Sequence, residues 1–135
     1  MKSPKIFNFK KFTKTSGKLL PITFVNKFPI KVKRIFVIYG KKKYKRGDHA
    51  HKKCSQIFIP IMGKIKINIK YKKTEESINL SHNGSKALLV PPRIWSSVEF
   101  LNNKSVVLVL TDYEYDFKDY IETYKEFIAF QKRNK

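Results

Sequence analysis

Two histidines with one residue between them, His49 and His51, are the side chains of this sequence best suited to chemistry. On a β-strand, residues i and i+2 share a face, so both imidazoles would enter the same space while Ala50 points away. An imidazole has an ordinary pKa of about 6.5 and can accept and return a proton near neutral pH. The spacing alone leaves two interpretations open, namely an acid–base pair and two structural histidines held by hydrogen bonds.

The two histidines are predicted to lie on a strand of a β-sheet. Short runs rich in Ile, Val, Phe and Tyr recur along the chain, separated by turns rich in Gly, Pro, Asn or Lys. Many short antiparallel strands in 135 residues predict an all-β barrel or sandwich, because closure protects the sheet edges. The predicted strands are residues 6–9, 18–25, 32–39, 48–52, 55–62, 64–71, 75–80, 87–90, 95–100 and 105–111.

The periodicity changes after Asp116, where apolar residues recur at steps of three and four. This spacing predicts an amphipathic helix of about four turns that packs on the barrel, with Asp116 as its N-cap. The apolar stripe consists of Phe117, Tyr120, Ile121, Tyr124, Phe127 and Ile128.

The formal net charge is +20, and 22 of the 30 Lys and Arg lie in residues 1–73 together with a single acid. Such a basic half-chain raises binding to nucleic acid or another polyanion as a hypothesis. However, only four of the 30 bases in the whole chain are Arg, and most lysines alternate with apolar residues as on the solvent face of a sheet. We therefore expect a lysine-rich solvated surface, and neither nucleic acid nor a membrane as the partner.

The cysteine content, the first residues and the length indicate the cellular compartment and the number of domains. Cys54 is the single cysteine and has no intramolecular partner, and the first ten residues contain no apolar run that could act as a signal peptide. Both observations favour a reducing cytoplasm. No repeat or linker divides the chain, so residues 1–135 are predicted to form one domain.

The segment from His49 to Gly63 resembles the first motif of the cupin superfamily, His-x-His followed by four residues, an acid, six residues and Gly. Gln56 stands in place of the acid. Residues 91–96 resemble a degraded second motif, with Ser96 where that motif has a third histidine. The resemblance implies a cupin, or jelly-roll, β-barrel. Because two of the four usual ligands are replaced, we expect no metal and no other cofactor.

A narrower resemblance links about residues 16–130 to the dTDP-sugar 3,4-ketoisomerases. It is most specific in the run Arg46-Gly-Asp-His49-Ala-His51-Lys52, and it extends to residues 34–39, 91–95, 108–110 and 113–127. The resemblance implies a metal-independent isomerase that converts a dTDP-4-keto-6-deoxyhexose into its 3-keto isomer, in deoxyaminosugar biosynthesis for bacterial surface glycans such as O-antigen. It also implies a homodimer, to which the apolar strand at residues 6–9 could contribute.

The same resemblance implies catalytic roles for His49, His51 and Tyr39. One histidine would transfer the proton between sugar carbons through an enediolate. The other, together with Tyr39, would shuttle a proton or stabilise charge at the two sugar oxygens.

Four further residues are candidates for binding the substrate. Arg34 and Arg46 could hold the diphosphate, since a guanidinium binds phosphate in a bidentate manner, or could instead form surface ion pairs. Trp95 and Ser96 are expected to border the sugar pocket, with ordinary core packing as the alternative for Trp95.

Two other functions remain open at this point. A sugar-nucleotide 3,5-epimerase would share the fold, but such enzymes pair a catalytic His with an Asp and a separate Tyr, and their chains are usually longer. A non-catalytic, basic, polyanion-binding cupin would explain the charge without using the histidines at all.

Overall fold

A computed structural model describes residues 2–134 of the chain as twelve strands, one 3-10 turn and one α-helix. The strands are β1 (Lys5–Asn8), β2 (Phe12–Lys14), β3 (Gly17–Leu19), β4 (Arg34–Gly40), β5 (Lys45–His51), β6 (Gln56–Met62), β7 (Lys64–Tyr71), β8 (Thr74–Ser81), β9 (Lys86–Val90), β10 (Trp95–Phe100), β11 (Ser105–Thr111) and β12 (Tyr120–Ile121). The 3-10 turn is Phe117–Asp119 and the helix, α1, is Tyr124–Arg133.

Two five-stranded antiparallel sheets face each other and enclose the core. The first sheet has the order β1-β9-β6-β11-β4 and the second has the order β12-β5-β10-β7-β8, while β2 and β3 form a separate hairpin. In β7 the side chains of Ile65, Ile67 and Ile69 are fully buried between the sheets, and Lys66 and Lys70 alternate with them on the other face. This alternation confirms the predicted all-β architecture.

The N-terminal segment covers the outer face of the first sheet. Phe7, Phe9, Leu20 and Ile22 pack against the outward side chains of that sheet. Strand β1 pairs with β9 of its own chain and forms one edge of the first sheet. The predicted strand at residues 18–25 is wrong: only Gly17–Leu19 is a strand, and the chain then runs irregularly, because Pro21 has no N–H for a ladder.

The predicted helix begins too early. Asp116 caps the 3-10 turn rather than a helix, and the helix itself, 10 residues long, follows Thr123, whose hydroxyl accepts the N–H of Glu126. Between them, β12 pairs with β5 and completes that edge of the second sheet. Helix α1 packs Phe127 onto the outer face of the same sheet. Within residues 2–134, no helix is long and apolar enough to cross a membrane.

Candidate active site

A β-bulge in β5 lies directly before the first histidine. Ser96 of β10 pairs with His49 and Ser97 pairs with Gly47, so Asp48 has no partner across the ladder. Both bulge residues have left-handed backbones, with φ of 90° at Gly47 and 59° at Asp48. A Cβ at Gly47 would lie 3.0 Å from the Ser96 carbonyl oxygen, so glycine is the residue that fits there.

The bulge determines which side chains enter the barrel. Arg46 pairs with Val98, whose side chain lies in the core between the sheets, and paired residues of neighbouring strands point to the same side. Beyond the bulge, His49 and His51 point to that side as well, while Ala50 is buried on the outer face. Their ring centroids are 5.0 Å apart. The side chains of the predicted pair therefore do converge.

Asp119 fixes the orientation of His51. Its Oδ2 lies 3.1 Å from His51 Nδ1, and its carboxylate also accepts the backbone N–H groups of Lys53 at 2.8 Å and Cys54 at 3.2 Å. Since a carboxylate accepts and does not donate, Nδ1 of His51 carries the hydrogen. Nε2 then presents a lone pair, and this buried atom has no hydrogen-bond partner among the described residues. His51 is thus oriented as a base, with its proton-accepting atom Nε2 free of any hydrogen bond within the described residues.

Burial keeps both histidines neutral near pH 7. It lowers the pKa of His51 to about 4, with the nearby His49 acting in the same direction and Asp119 opposing the shift. Burial also lowers the pKa of His49, against the raising effect of a hydrogen bond to the Gly47 backbone. Neutral imidazoles are the form in which a histidine can accept a proton.

An open cavity of ≈ 370 Å³ lies between the two sheets next to this pair. The cavity is lined by Arg34, Phe36, Ile38, Arg46, Gly47, His49, Gln56, Phe58, Ser96, Ser97, Val98, Tyr115 and Tyr120. His51 lines a smaller adjoining space, of which Arg34, Gln56 and Tyr120 also form the wall.

Tyr120 lies against both histidines. Its ring centroid is 4.4 Å from that of His51 and 4.9 Å from that of His49. Burial raises the pKa of Tyr120, and a hydrogen bond with Arg34 opposes part of this shift. The guanidinium of Arg34 also lies 5.2 Å from the ring of Tyr115. Tyr120 therefore keeps its proton at neutral pH and can donate it to an oxygen in the cavity.

The family of the chain follows from a sequence profile described as "FdtA: WxcM-like, C-terminal", which matches residues 2–132. The chain belongs to this family. It is also 31% identical over 124 residues to the TDP-4-oxo-6-deoxy-alpha-D-glucose-3,4-oxoisomerase of Aneurinibacillus thermoaerophilus, covering 91% of this chain and 88% of the relative. These matches confirm the resemblance to the dTDP-sugar 3,4-ketoisomerases.

Solved structures agree in fold. QdtA, a sugar 3,4-ketoisomerase from Thermoanaerobacterium thermosaccharolyticum in complex with TDP, superposes with a TM-score of 0.89 at 32% identity, covering 97% of this chain and 96% of that one. The rmlC epimerase of Mycobacterium tuberculosis superposes with a TM-score of 0.76 at 12% identity, covering 87% of this chain and 66% of that one. The epimerase shares the fold alone. Together they confirm the predicted cupin-type barrel for this FdtA-family chain.

Two predicted site residues of this FdtA-family chain lie outside the cavity. Tyr39 is 80% exposed on the outer face of β4, because Arg34, Phe36 and Ile38 occupy the alternate, inward positions of that strand. Trp95 is buried on the outer face of the second sheet, where its ring centroid is 5.8 Å from that of Phe127. Within the described residues of this chain neither side chain reaches the cavity, and the position of Trp95 fits the alternative of core packing. The cavity does contain Arg34, Arg46, Ser96 and His49.

Two residues of the site, Asp119 and Tyr120, were not predicted to be functional. Both lay within the predicted helix, with Tyr120 on its apolar stripe, whereas the backbone turns at Asp119 and extends at Tyr120 to pair with His51. The sequence did contain a signal for a functional role, because Asp119 and Tyr120 are adjacent and lie in the segment 113–127 that resembles the ketoisomerases. A His–Asp pair with a nearby Tyr was expected only of the epimerase alternative, so its presence here shows that this feature does not separate the two activities.

His51, Cys54 and Asp119 are the described residues whose ligand atoms could meet at a metal, since these atoms lie within 4.8 Å of one another. They are poorly suited to hold one. Asp119 already binds His51 and two backbone N–H groups, and burial raises the pKa of the Cys54 thiol to about 12. A thiol must lose its proton to bind a transition metal well. Gln56 and Ser96 supply no stronger donor in the cavity.

Proposed function

We propose that the protein is an isomerase that moves the carbonyl of a dTDP-4-keto-6-deoxyhexose from C4 to C3. The observation that carries the proposal is the buried Nε2 of His51, a proton acceptor with no hydrogen-bond partner among the described residues. It lies beside His49, in a small space that adjoins the cavity lined by His49. Membership of the FdtA family and the activity of the 31% identical relative support the same reaction.

The chemistry needs one base that works on two neighbouring carbons. The hydrogen on C3 is acidic because C3 is adjacent to the C4 ketone, and His51 Nε2 accepts it to give an enediolate across C3 and C4. The resulting imidazolium returns a proton to C4. The hydroxyl proton on O3 moves to O4, so no atom is gained or lost.

His49 and Tyr120 are placed to serve the two oxygens. Their rings are 4.9 Å apart and both contact His51, so a sugar oriented toward Nε2 would have its oxygens near them. Tyr120 donates a hydrogen bond, and Arg34 beside it adds positive charge where the enediolate develops its negative charge. His49 then carries the proton from O3 to O4. Tyr120 takes the role that the sequence analysis gave to Tyr39.

Arg46 is the proposed contact for the diphosphate. It lies on β5 on the cavity side of the sheet, exposed at the edge where a nucleotide would extend outwards. Its guanidinium can bind phosphate oxygens in a bidentate manner. Ser96, which pairs with His49 and is buried, lies where the sugar ring would rest.

We propose that the reaction needs no metal and no other cofactor. The support is the donor set: Gln56 is neutral, Ser96 is a weak ligand, and Cys54 holds its proton. Purified protein is expected to retain its turnover after dialysis against a chelator. One tightly bound transition metal per chain in elemental analysis, with turnover lost on its removal, would contradict this proposal.

We further propose a homodimer of one-domain chains in the cytoplasm, acting in the synthesis of deoxyaminosugars for surface glycans such as O-antigen. Ile35, Val37 and Tyr39 form an exposed apolar strip on the outer face of β4, an edge strand of the first sheet. A second copy of the chain could bury this strip. Light scattering at micromolar concentration should give twice the chain mass, and Val37→Lys should give the single mass.

One experiment tests the proposed reaction against its alternatives. The protein is incubated with dTDP-4-keto-6-deoxyglucose in D₂O and followed by NMR. We expect a 3-keto product with deuterium at C4. Deuterium at C3 and C5 with inversion at those carbons would instead show a 3,5-epimerase. No turnover, together with DNA binding that weakens steeply with salt, would show a polyanion binder.

A further inference from the structure

A second cleft, of ≈ 600 Å³, lies away from the catalytic cavity, on the outer side of the second sheet. It is formed by the turn between β7 and β8, the loop before β10 and the C-terminal half of α1. None of its lining residues lines the catalytic cavity. The cleft is therefore a separate space, larger than the cavity that His49 lines.

The walls of this cleft carry four cations, Lys72, Lys73, Arg93 and Lys132. Among the described residues, no carboxylate lines it. Three separate segments of the chain thus bring like charges together around a concave surface without an internal counter-ion. Such an arrangement concentrates anions from solution and is relieved when one of them binds.

The backbone holds Arg93 in place at some conformational cost. Its φ is 67°, in the left-handed region that a non-glycine residue seldom adopts. Its N–H donates to the carbonyl oxygen of His51 at 2.7 Å, which ties the loop to β5. Lys72 is also left-handed, with φ of 53°. Two of the four cations are therefore presented by constrained turns rather than by freely moving segments.

The other residues of the cleft are two apolar side chains, Ile128 and Phe130, and two amides, Gln131 and Asn134. Ile128 and Phe130 are half-buried on α1, and the Arg93 guanidinium lies 5.6 Å from the centroid of the Phe130 ring. Gln131 Nε2 is buried and has no acceptor among the described residues. A buried amide donor normally has a partner, so a bound oxygen at this position would satisfy it.

We propose that this cleft binds an amphipathic anion, namely a phosphate or similar oxyanion attached to a flat apolar ring. The ring lies on Ile128 and Phe130, and the oxyanion meets Arg93, the lysines and the Gln131 amide. The proposal does not depend on the isomerase reaction, because it uses no residue of the catalytic cavity.

The test is an NMR titration of ¹⁵N-labelled full-length protein with 1-naphthyl phosphate. We expect saturable shifts of the Gln131 side-chain amide and the Arg93 backbone amide, while the His49 and Ser96 amides stay unmoved. Inorganic phosphate and neutral 1-naphthol, each carrying half of the proposed chemistry, should bind at least tenfold more weakly. Shifts confined to His49 and Ser96, or equal affinity for phosphate alone, would overturn the proposal.

Matched variants separate the cleft from the general charge of the protein. Lys73→Glu with Lys132→Glu should weaken binding of 1-naphthyl phosphate at least tenfold. Lys42→Glu with Lys104→Glu changes the net charge equally at exposed sites outside the cleft and should leave the affinity within about twofold. An equal loss in both double variants would mean that only the diffuse field of the protein attracts the probe, and the cleft would then have no binding role.

Discussion

The two faces of β5 and β10 differ in how completely their side chains are satisfied. On the outer face, Ala50, Trp95 and Phe127 form a closed apolar cluster. On the inner face, His51 is just as buried, but its Nε2 has no hydrogen-bond partner among residues 2–134. Consecutive residues of one strand thus belong to two environments, one that stabilises the fold and one that keeps a polar atom free for a substrate.

Substitutions on the two faces should change different measured quantities. An apolar cluster contributes to the free energy of unfolding through burial and packing. An unpartnered buried nitrogen contributes nothing favourable to folding and is expected to matter in the transition state. Substitutions on the two faces should therefore separate stability from turnover.

The largest expected effect is on the inner face. His51→Asn removes the proposed carbon base, and general acid–base groups contribute about 10²- to 10⁴-fold, so kcat should fall by at least two decades. The Kd for dTDP should change little, because the diphosphate is held elsewhere. Turnover, Kd and Tm measured on one preparation check this. His49→Asn should also lower kcat, and near-normal turnover in both variants would mean that the histidines are structural.

The next largest effect concerns the outer face, where a substitution should lower the free energy of unfolding and leave kcat almost unchanged. Phe127 is 1% exposed, and removing such a ring in Phe127→Ala typically costs about 3–5 kcal/mol of unfolding free energy. The kcat of the protein that remains folded should stay within a few-fold of the original. Urea unfolding and active-site titration measure the two quantities. A loss of kcat comparable to that of His51→Asn would remove the distinction between the faces.

The buried imidazole also makes stability depend on pH. The folded-state pKa of His51 is about 4 against an ordinary 6.5, so between these values the unfolded chain binds a proton that the folded chain does not. The unfolding free energy should therefore decrease as pH falls from 6.5 to 4, by up to about 3 kcal/mol from this group, and be unaffected by it above pH 7. The difference between the parent and His51→Asn across this range isolates the contribution. A constant difference would contradict the low pKa.

Asp119 is expected to act through the tautomer of His51. In Asp119→Asn the amide NH₂ can donate to Nδ1, which places the hydrogen on Nε2, where the base is needed bare. Removing a partner that orients a functional histidine commonly costs about 10- to 100-fold in activity. The Nδ1 and Nε2 resonances in ¹⁵N NMR report the tautomer directly. Loss of activity with the tautomer unchanged would assign Asp119 to loop folding instead.

The smallest expected changes in kcat concern two tyrosines, Tyr120 and Tyr39. Tyr120→Phe removes the hydroxyl beside both histidines and should lower kcat by about tenfold, the range expected when one hydrogen bond of about 1–1.5 kcal/mol is lost. Tyr39→Phe removes the hydroxyl that the sequence analysis favoured and should leave kcat unchanged. Steady-state kinetics on both variants decide between them, and the reverse order of effects would restore the role of Tyr39.

Much of the fold could be predicted from short apolar runs and from alternation. Residues 64–71 and 105–111 were predicted with the observed bounds, because isoleucine repeats at every second position in the first and the second is a continuous run of Val and Leu between Ser105 and Thr111. Alternation failed after Pro21, where apolar residues pack on a sheet without joining it. It also failed at Tyr120 and Ile121, whose spacing matched a helix but whose backbone completes an edge of the second sheet.

The site could be predicted only as far as a single strand reaches. His49 and His51 share one strand, so their convergence followed from the sequence. Asp119 meets His51 from 68 positions away, a contact that no local pattern records. The strand of Tyr39 was also recognised, but the sequence does not say which alternate side chains of that strand face the core, and the structure places Tyr39 on the outer face.

The bulge at Asp48 places Arg46 and His49 on the same side of the sheet. A strand offers only odd and even positions, and Arg46 and His49 differ by three, so in a regular strand they would lie on opposite sides of the sheet. One unpaired residue changes an odd interval into an even one. The proposed holder of the diphosphate and the histidine pair therefore share a cavity through the insertion of a single peptide unit.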